Sequence, residues 1–302
     1  MFKKLFGRSV PQEPKRKPTQ WESFRSLLGV ILIAFIIRTY FYGLYQVPTP
    51  SMENTMLVGE RFFADKLTVC FKGPKRGDIV TLNQPTYQYS ENKLKNLWER
   101  YVWGPSNWTK RVIGAPGDEL KGVMEDGRPV LYIKGQGQAE FSKLDEPYLN
   151  QYPVIATYRE DRMDPYTYRT YDPSKPLDQQ PFYKLTELEV RQGRQMARLH
   201  HDSAMKSPGT PVIMPTYDGE KNYDEFEVKL GEDQYWLMGD NREASHDSRF
   251  WGPVNQQLIH GKIVFRIWSL DSDEGWWIFE LLRHPIDFWN KVRWSRCFQV
   301  VH

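Results

Sequence analysis

Three stretches of this sequence bring together side chains able to activate a hydroxyl. "VPTPSMENTM" (residues 47–56) sets Ser51 directly after a Val-Pro-Thr-Pro run. Each proline fixes its own φ and drives the residue before it toward extended backbone, so the chain reaches Ser51 nearly straight. "TKRVIGAPGDEL" (109–120) carries Lys110 and Arg111 on an expected strand that closes in an Ala-Pro-Gly-Asp turn. "MGDNREASHDSRFWGPV" (238–254) packs Asp240, Asn241, Arg242, Ser245, His246, Asp247, Ser248 and Arg249 into one turn. A serine hydroxyl is a poor nucleophile at its own pKa and needs an adjacent base. A lysine is such a base only when neutral, which burial achieves by pulling its pKa down. Taken singly, the stretches also have plainer readings: a rigid turn, a surface Lys-Arg pair, and a hydrogen-bonded turn after a hydrophobic strand.

The elements that must position these residues begin with "SLLGVILIAFIIRTYFYGLY" (26–45), the long apolar run of the chain. About 20 residues cross a bilayer core. Arg38 lies near its exit end, where a long side chain snorkels to the interface, and Tyr40, Phe41, Tyr42 and Tyr45 read as an interfacial aromatic belt. The competing readings are a buried core helix and a cleavable secretory signal. No small-x-small site follows the apolar run before Pro48, so an uncleaved anchor is expected. Lys3, Lys4, Arg8, Lys15, Arg16, Lys17 and Arg25 stand before it against Glu13 and Glu22. That excess keeps residues 1–25 cytoplasmic and sends everything beyond Tyr45 outside, with Ser51 just past the outer membrane surface.

Beyond the anchor the pattern is mostly strand and turn. Strands are expected at 61–69, 78–82, 130–135, 235–241 and 261–270, bounded by Gly-Pro, Pro-Gly and Gly-Asp breaks. In the last run Ile263, Phe265 and Ile267 share one expected face and Val264, Arg266 and Trp268 the other. Residues 119–231 turn polar, tyrosine-rich and proline-spaced, with a short helix expected in "LTELEVRQGRQMARLH". They read as a large insertion between two parts of one β domain, 46–118 and 232–302. His200, His201 and Asp202 fall inside it, and a neighbouring histidine pair alone is a poor metal site, so no metal or other cofactor is expected. "GWWIFELLRHPIDFWNKVRWSRCF" (275–298) suits either packing on the core or lying in the membrane interface. The chain has 302 residues and a net charge of +3, which argues against a nucleic-acid binder. Cys70 and Cys297 show no metal spacing and leave pairing open.

Read in order, the anchor, "PSM", "RGDIV" (76–80), "KRVIGAPGD" (110–118), the 238–252 turn and the closing strand resemble bacterial signal peptidase I. That family comprises membrane-bound Ser/Lys endopeptidases that remove signal peptides from exported preproteins. The resemblance implies a mostly β fold: an N-terminal transmembrane helix, then an antiparallel β catalytic domain carrying the inserted second domain. It implies Ser51 as nucleophile, Lys110 as general base and Ser245 aiming the Lys110 amine. The oxyanion would be held by the Ser51 amide and the Thr49 hydroxyl. Asp240, Asp247 and Arg249 would brace the site. Tyr45, Val47, Met52, Met56 and Trp108 would line shallow apolar pockets for small residues one and three positions before the cut. The implied setting is the bacterial inner membrane, with the catalytic part on its outer, periplasmic face and with preproteins and the lipid bilayer as partners. Two departures are visible: "PTPSM" stands where well-known members read "PSGSM", and "SMENTM" replaces "SMxPTL".

Other readings are a Ser/His/Asp hydrolase using His246 and Asp247, and a non-catalytic membrane-anchored scaffold for export or envelope assembly. Ser51 lacks a G-x-S-x-G elbow, and neighbours in sequence rarely face each other as a triad requires. Soluble self-cleaving Ser/Lys repressors would need a DNA-binding head where this chain has its apolar run.

Overall fold

The computed structural model describes residues 19–53, 55–57, 59–102, 104–126, 128–149, 222–242, 245–270 and 277–301. Residues up to Tyr40 and those from Phe41 onward form two separate compact units. The first contains helix α1 (Gln20–Ile36), prolonged by a π-type turn at Ile37–Phe41. Its start is explained by a reciprocal cap: the Glu22 amide donates to the Thr19 hydroxyl, and the Thr19 amide donates to the Glu22 carboxylate. None of its residues is buried, which removes the reading as a core helix. Gln20–Phe41 is long and apolar enough to cross a membrane, with mean hydropathy 1.8 over its most apolar window. The helix starts earlier than the expected 26 and stops before Tyr42. Tyr42 and Tyr45 therefore leave the expected aromatic belt and lie in strand β1 (Tyr42–Gln46).

The second unit is built on two antiparallel sheets. The larger uses β1, β2 (Glu60–Asp65), β3 (Ile79–Asn83), β4 (Asn107–Gly114), β9 (Gln234–Met238), β10 (Val254–Asn255), β11 (Ile259–Ser269) and β12 (Gln299–Val300). Its order is β1-β2-β11-β3-β4-β9-β10, with β12 also on β11. The smaller, in the order β7-β6-β5-β8, uses β5 (Glu119–Glu125), β6 (Arg128–Lys134), β7 (Ser142–Lys143) and β8 (Phe226–Lys229). The described ends of the 119–231 segment thus make a sheet of their own. Leu120, Leu131 and Ile133 of that sheet nevertheless share one apolar cluster with Ile113 of β4 and Trp236 and Met238 of β9. The helix expected in "LTELEVRQGRQMARLH", and His200, His201 and Asp202, lie outside the described residues.

Two expectations change. The strand foreseen at 61–69 ends at Asp65 and gives way to helix α2 (Leu67–Lys72). The Asp65 carboxylate accepts from the Thr68 amide at 3.0 Å and its hydroxyl at 2.5 Å, a side-chain cap that competes with the ladder. In β11 the period of two breaks at register shifts between Ile263 and Phe265 and between Arg266 and Trp268. Each shift moves later side chains to the opposite face. Arg266 is therefore buried, while Phe265 and Ile267 are only half-buried.

Among the described residues the remaining α-helices are short: α3 (Lys93–Tyr101), α4 (Ser248–Trp251), α5 (Trp277–Arg283) and α6 (Pro285–Asn290). The aromatic C-terminal stretch divides its residues. Phe288 packs with Leu270, Val292 and Cys297, whereas Trp277, Phe279, Leu282, Trp289 and Trp294 are exposed.

Candidate active site

Beyond β1 the ladder continues one residue further, because the Val47 amide donates to the Glu60 carbonyl at 3.0 Å. Pro48 and Pro50 have no amide hydrogen, so regular pairing stops and the chain enters a 3-10 turn at Pro50–Met52. Ser51 sits in that turn, 8% exposed. Its Oγ lies 3.5 Å from the Thr49 hydroxyl, which is on the exposed side. The turn lies against β4, the strand that carries Lys110.

Lys110 stands opposite Val80 of β3 and is 4% exposed. Burial pushes its amine down from the ordinary 10.5 to about 8; Asp247 and Asp240 pull it back up and Arg249 pushes it down. Its neighbour Arg111 points elsewhere, as alternation along a strand requires. The Arg111 guanidinium donates to both Asp240 oxygens, at 2.8 and 2.7 Å, and stacks over the Tyr148 ring at 4.0 Å.

The turn after β9 closes the site. The Asn241 amide donates to the Ser51 carbonyl at 3.1 Å, and the Gly239 amide donates to Asp247 at 3.1 Å. A Cβ on Gly239 would stand 2.3 Å from the Ser51 carbonyl oxygen and 2.4 Å from Ser245 Oγ, so only glycine lets the three approach. Asp247 also caps α4 and holds Arg249 through bonds of 2.9 and 3.0 Å. Burial would raise the Asp247 pKa, but Arg249 holds it below the usual carboxylate range. Ser245 Oγ is buried without a hydrogen-bond partner, so the expected bond to the Lys110 amine is not formed here. The Asp247 carboxylate is taken by Gly239 and Arg249, and the His246 ring stacks on Phe250 at 4.9 Å with its edge toward Trp108. That arrangement is not a Ser/His/Asp relay.

The five expected pocket residues separate. Val47, Met52 and Met56 are buried in one apolar cluster, with Tyr45 packed against it. Trp108 belongs to another, where it lies 5.1 Å from Trp251. Several partners had not been singled out from sequence. Thr55 donates to Asp240 at 2.5 Å, Asp224 accepts from Arg249 at 2.7 Å, and Glu146 pairs with Arg242. Glu146 and Asp224 come from the two ends of the 119–231 segment, so that segment braces the turn. The turn's own composition gave no signal for them, since it sets Asp240, Glu243 and Asp247 against Arg242 and Arg249. Cys70 is exposed and Cys297 buried; both are free thiols. Among the described residues no cluster of His, Cys, Asp and Glu has metal-binding geometry.

The chain is similar to known proteins of one kind. A signal peptidase I from Buchnera aphidicola (subsp. Acyrthosiphon pisum) is 25% identical over 285 residues, covering 90% of this chain and 82% of its own. One from Aquifex aeolicus is 29% identical over 242 residues, covering 78% and 79%. A crystal structure of a signal peptidase I from Enterococcus faecalis V583 matches 63% of this chain and 97% of its own at 21% identity, with a TM-score of 0.27, too low to carry an argument about the fold. The family model described as "Signal peptidase, peptidase S26" matches residues 20–268. By that match, over most of its length, the chain belongs to the signal peptidase family, peptidase S26.

Proposed function

We propose that this protein is a membrane-anchored serine endopeptidase that cleaves signal peptides from exported preproteins with a Ser51/Lys110 dyad. The observation that carries the reading is Lys110. It is a lysine buried on β4 with its amine lowered to about 8, on the strand against which the Ser51 turn lies. A neutral Lys110 amine takes the Ser51 proton as Oγ bonds to the scissile carbonyl carbon. The resulting oxyanion is stabilised by the Ser51 amide and the Thr49 hydroxyl. Collapse breaks the C–N bond, and the Lys110 ammonium returns its proton to the departing amine. A water, deprotonated by the same amine, then attacks the acyl carbon, and the ammonium returns that proton to the departing Ser51 Oγ. Ser245 aims the amine once substrate and solvent are in place, and Asp240, Asp247 and Arg249 keep the surrounding turn fixed.

Specificity for small residues at positions −3 and −1 follows from pockets floored by Tyr45, Val47, Met52, Met56 and Trp108. β1 is an edge strand leading toward Ser51, so an extended peptide can add to its open side through main-chain bonds that ignore sequence. The basic residues 1–25 keep the N-terminus cytoplasmic, and the catalytic β domain (46–118 and 232–302, carrying the 119–231 insertion) works on the outer face. Detergent-solubilised protein incubated with a preprotein tests this, the product being read by its new N-terminus. Wild type should cut after a small-x-small site, and Ser51→Ala and Lys110→Ala should not. Equal cutting by Lys110→Ala places the base elsewhere. An inert but folded wild type favours a scaffold.

A further inference from the structure

Glu60, at the start of β2, is fully buried, and two buried arginines converge on it: Arg266 from β11 and Arg296 near the C-terminus, 6% and 7% exposed. Arg296 Nε donates to Glu60 Oε1 at 2.5 Å, and Arg266 Nε lies 3.0 Å from Glu60 Oε2. The Ser269 hydroxyl adds a bond of 2.8 Å. Burial would raise the Glu60 pKa, but Arg296 and Arg266 hold it below the usual range. Two guanidiniums facing one carboxylate leave surplus donors: Arg266 Nη1 gives one to Gln299 Oε1 at 2.6 Å, and the two Nη2 groups share another acceptor. The Thr55 carbonyl accepts from Arg266 Nη2 at 2.5 Å and from Arg296 Nη2 at 3.2 Å.

Thr55 stands four residues after Ser51, in the loop leading from the Ser51 turn to β2. Its hydroxyl is held from the opposite side by Asp240, the carboxylate that Arg111 grips beside Lys110. Between them the Met56 amide donates to the Met52 carbonyl at 2.8 Å, which closes the loop onto the residue after Ser51. Buried Arg-carboxylate-Arg clusters are poor stability devices, since apolar replacements of similar volume are often neutral or stabilising. What this cluster does is grip a loop.

We infer that Glu60, Arg266 and Arg296 are positioning residues for Ser51, fixing the loop through the Thr55 carbonyl so that Ser51 Oγ stays in register with Lys110. The C-terminal segment thereby becomes part of the active-site frame. The inference rests on the reading of Ser51 as nucleophile.

The test uses Arg296→Lys in the full-length protein. Lysine keeps one positive charge for Glu60 but has no fork to reach the Thr55 carbonyl at the same time. On a preprotein substrate, kcat should fall by about 10- to 100-fold, with KM within about twofold and the unfolding midpoint within a few degrees of wild type. Glu60→Gln, which keeps shape and removes the charge, should show the same fall in kcat with KM little changed, at a lower unfolding midpoint because two buried guanidiniums lose their counter-charge. Wild-type kcat in a folded Arg296→Lys protein overturns the inference, as does a rise in KM with kcat unchanged. Failure of both variants to fold also overturns it, because the cluster is then merely structural. Ser51→Ala separates the levels: full activity there defeats the nucleophile reading itself. An inactive Ser51→Ala beside a fully active Arg296→Lys defeats the positioning role alone.

Discussion

The Asn241 amide donates to the Ser51 carbonyl at 3.1 Å, stitching the turn after β9 to the turn that carries the expected nucleophile. Two segments 190 residues apart in sequence are joined backbone to backbone, and Gly239 lies in the seam. Its missing Cβ leaves room for the Ser51 carbonyl and Ser245 Oγ, which a methyl group would meet at 2.3 and 2.4 Å. The nearer obstacle is main chain and cannot rotate aside. Gly239→Ala should therefore lower kcat about 100-fold by displacing Ser51. Steady-state kinetics on a preprotein decide this, and a near-normal kcat would show that the seam is slack.

Lys110 sets the pH dependence. With its amine near 8, the neutral fraction falls about tenfold for each pH unit below that value. The logarithm of kcat/KM should rise with unit slope and level off above about pH 8. A profile already flat from pH 6 would mean that the base is another group.

The same lysine should oppose folding. Its pKa is about 8 in the folded protein and 10.5 in a free chain, so between these values the unfolded state binds more protons. Stability from this group therefore rises with pH across that window, and below pH 8 the folded state carries the full penalty. Lys110→Met should be more stable than wild type at pH 7, by on the order of 3 kcal/mol. The gap should shrink toward pH 10.5. Denaturant unfolding at pH 7 and pH 10 measures both, and a less stable Lys110→Met at neutral pH would mean that burial is not stressing the amine.

Thr49 offers a hydroxyl 3.5 Å from Ser51 Oγ. Thr49→Val keeps the branched shape and deletes the donor. It should lower kcat by about 10²- to 10³-fold, as loss of an oxyanion donor does elsewhere, while Thr49→Ser should retain most activity. Equal rates for all three proteins would leave the Ser51 amide as the donor that matters.

The candidate groups were legible because they depend on local pattern. Proline geometry marks Ser51 as held rather than incidental, and the ordered motifs bring Lys110 and the 238–252 turn into one family's arrangement. The apolar run announces a spanning helix, although its C-terminal end was misjudged. Residues 42–45 continue the apolar, aromatic run in sequence yet belong to a strand that pairs with β2, a choice made by the partner strand rather than by local composition.

The residues that hold the site were another matter. Glu146 and Asp224 brace the turn from the two ends of a segment that looked like a separate insertion, because arginines buried there need carboxylates wherever the fold supplies them. Arg266 shows the difference most clearly. Strict alternation sets it on the face opposite Ile263, beside Val264 and Trp268, and the register shift between Ile263 and Phe265 turns it inward to Glu60 and the Thr55 carbonyl. Residue types and spacing by themselves determined which groups are candidates for the proposed reaction and that one helix is apolar enough to span a membrane. Only the tertiary structure decided which charges meet, because burial and register are set by contacts between distant strands rather than by neighbours in the chain.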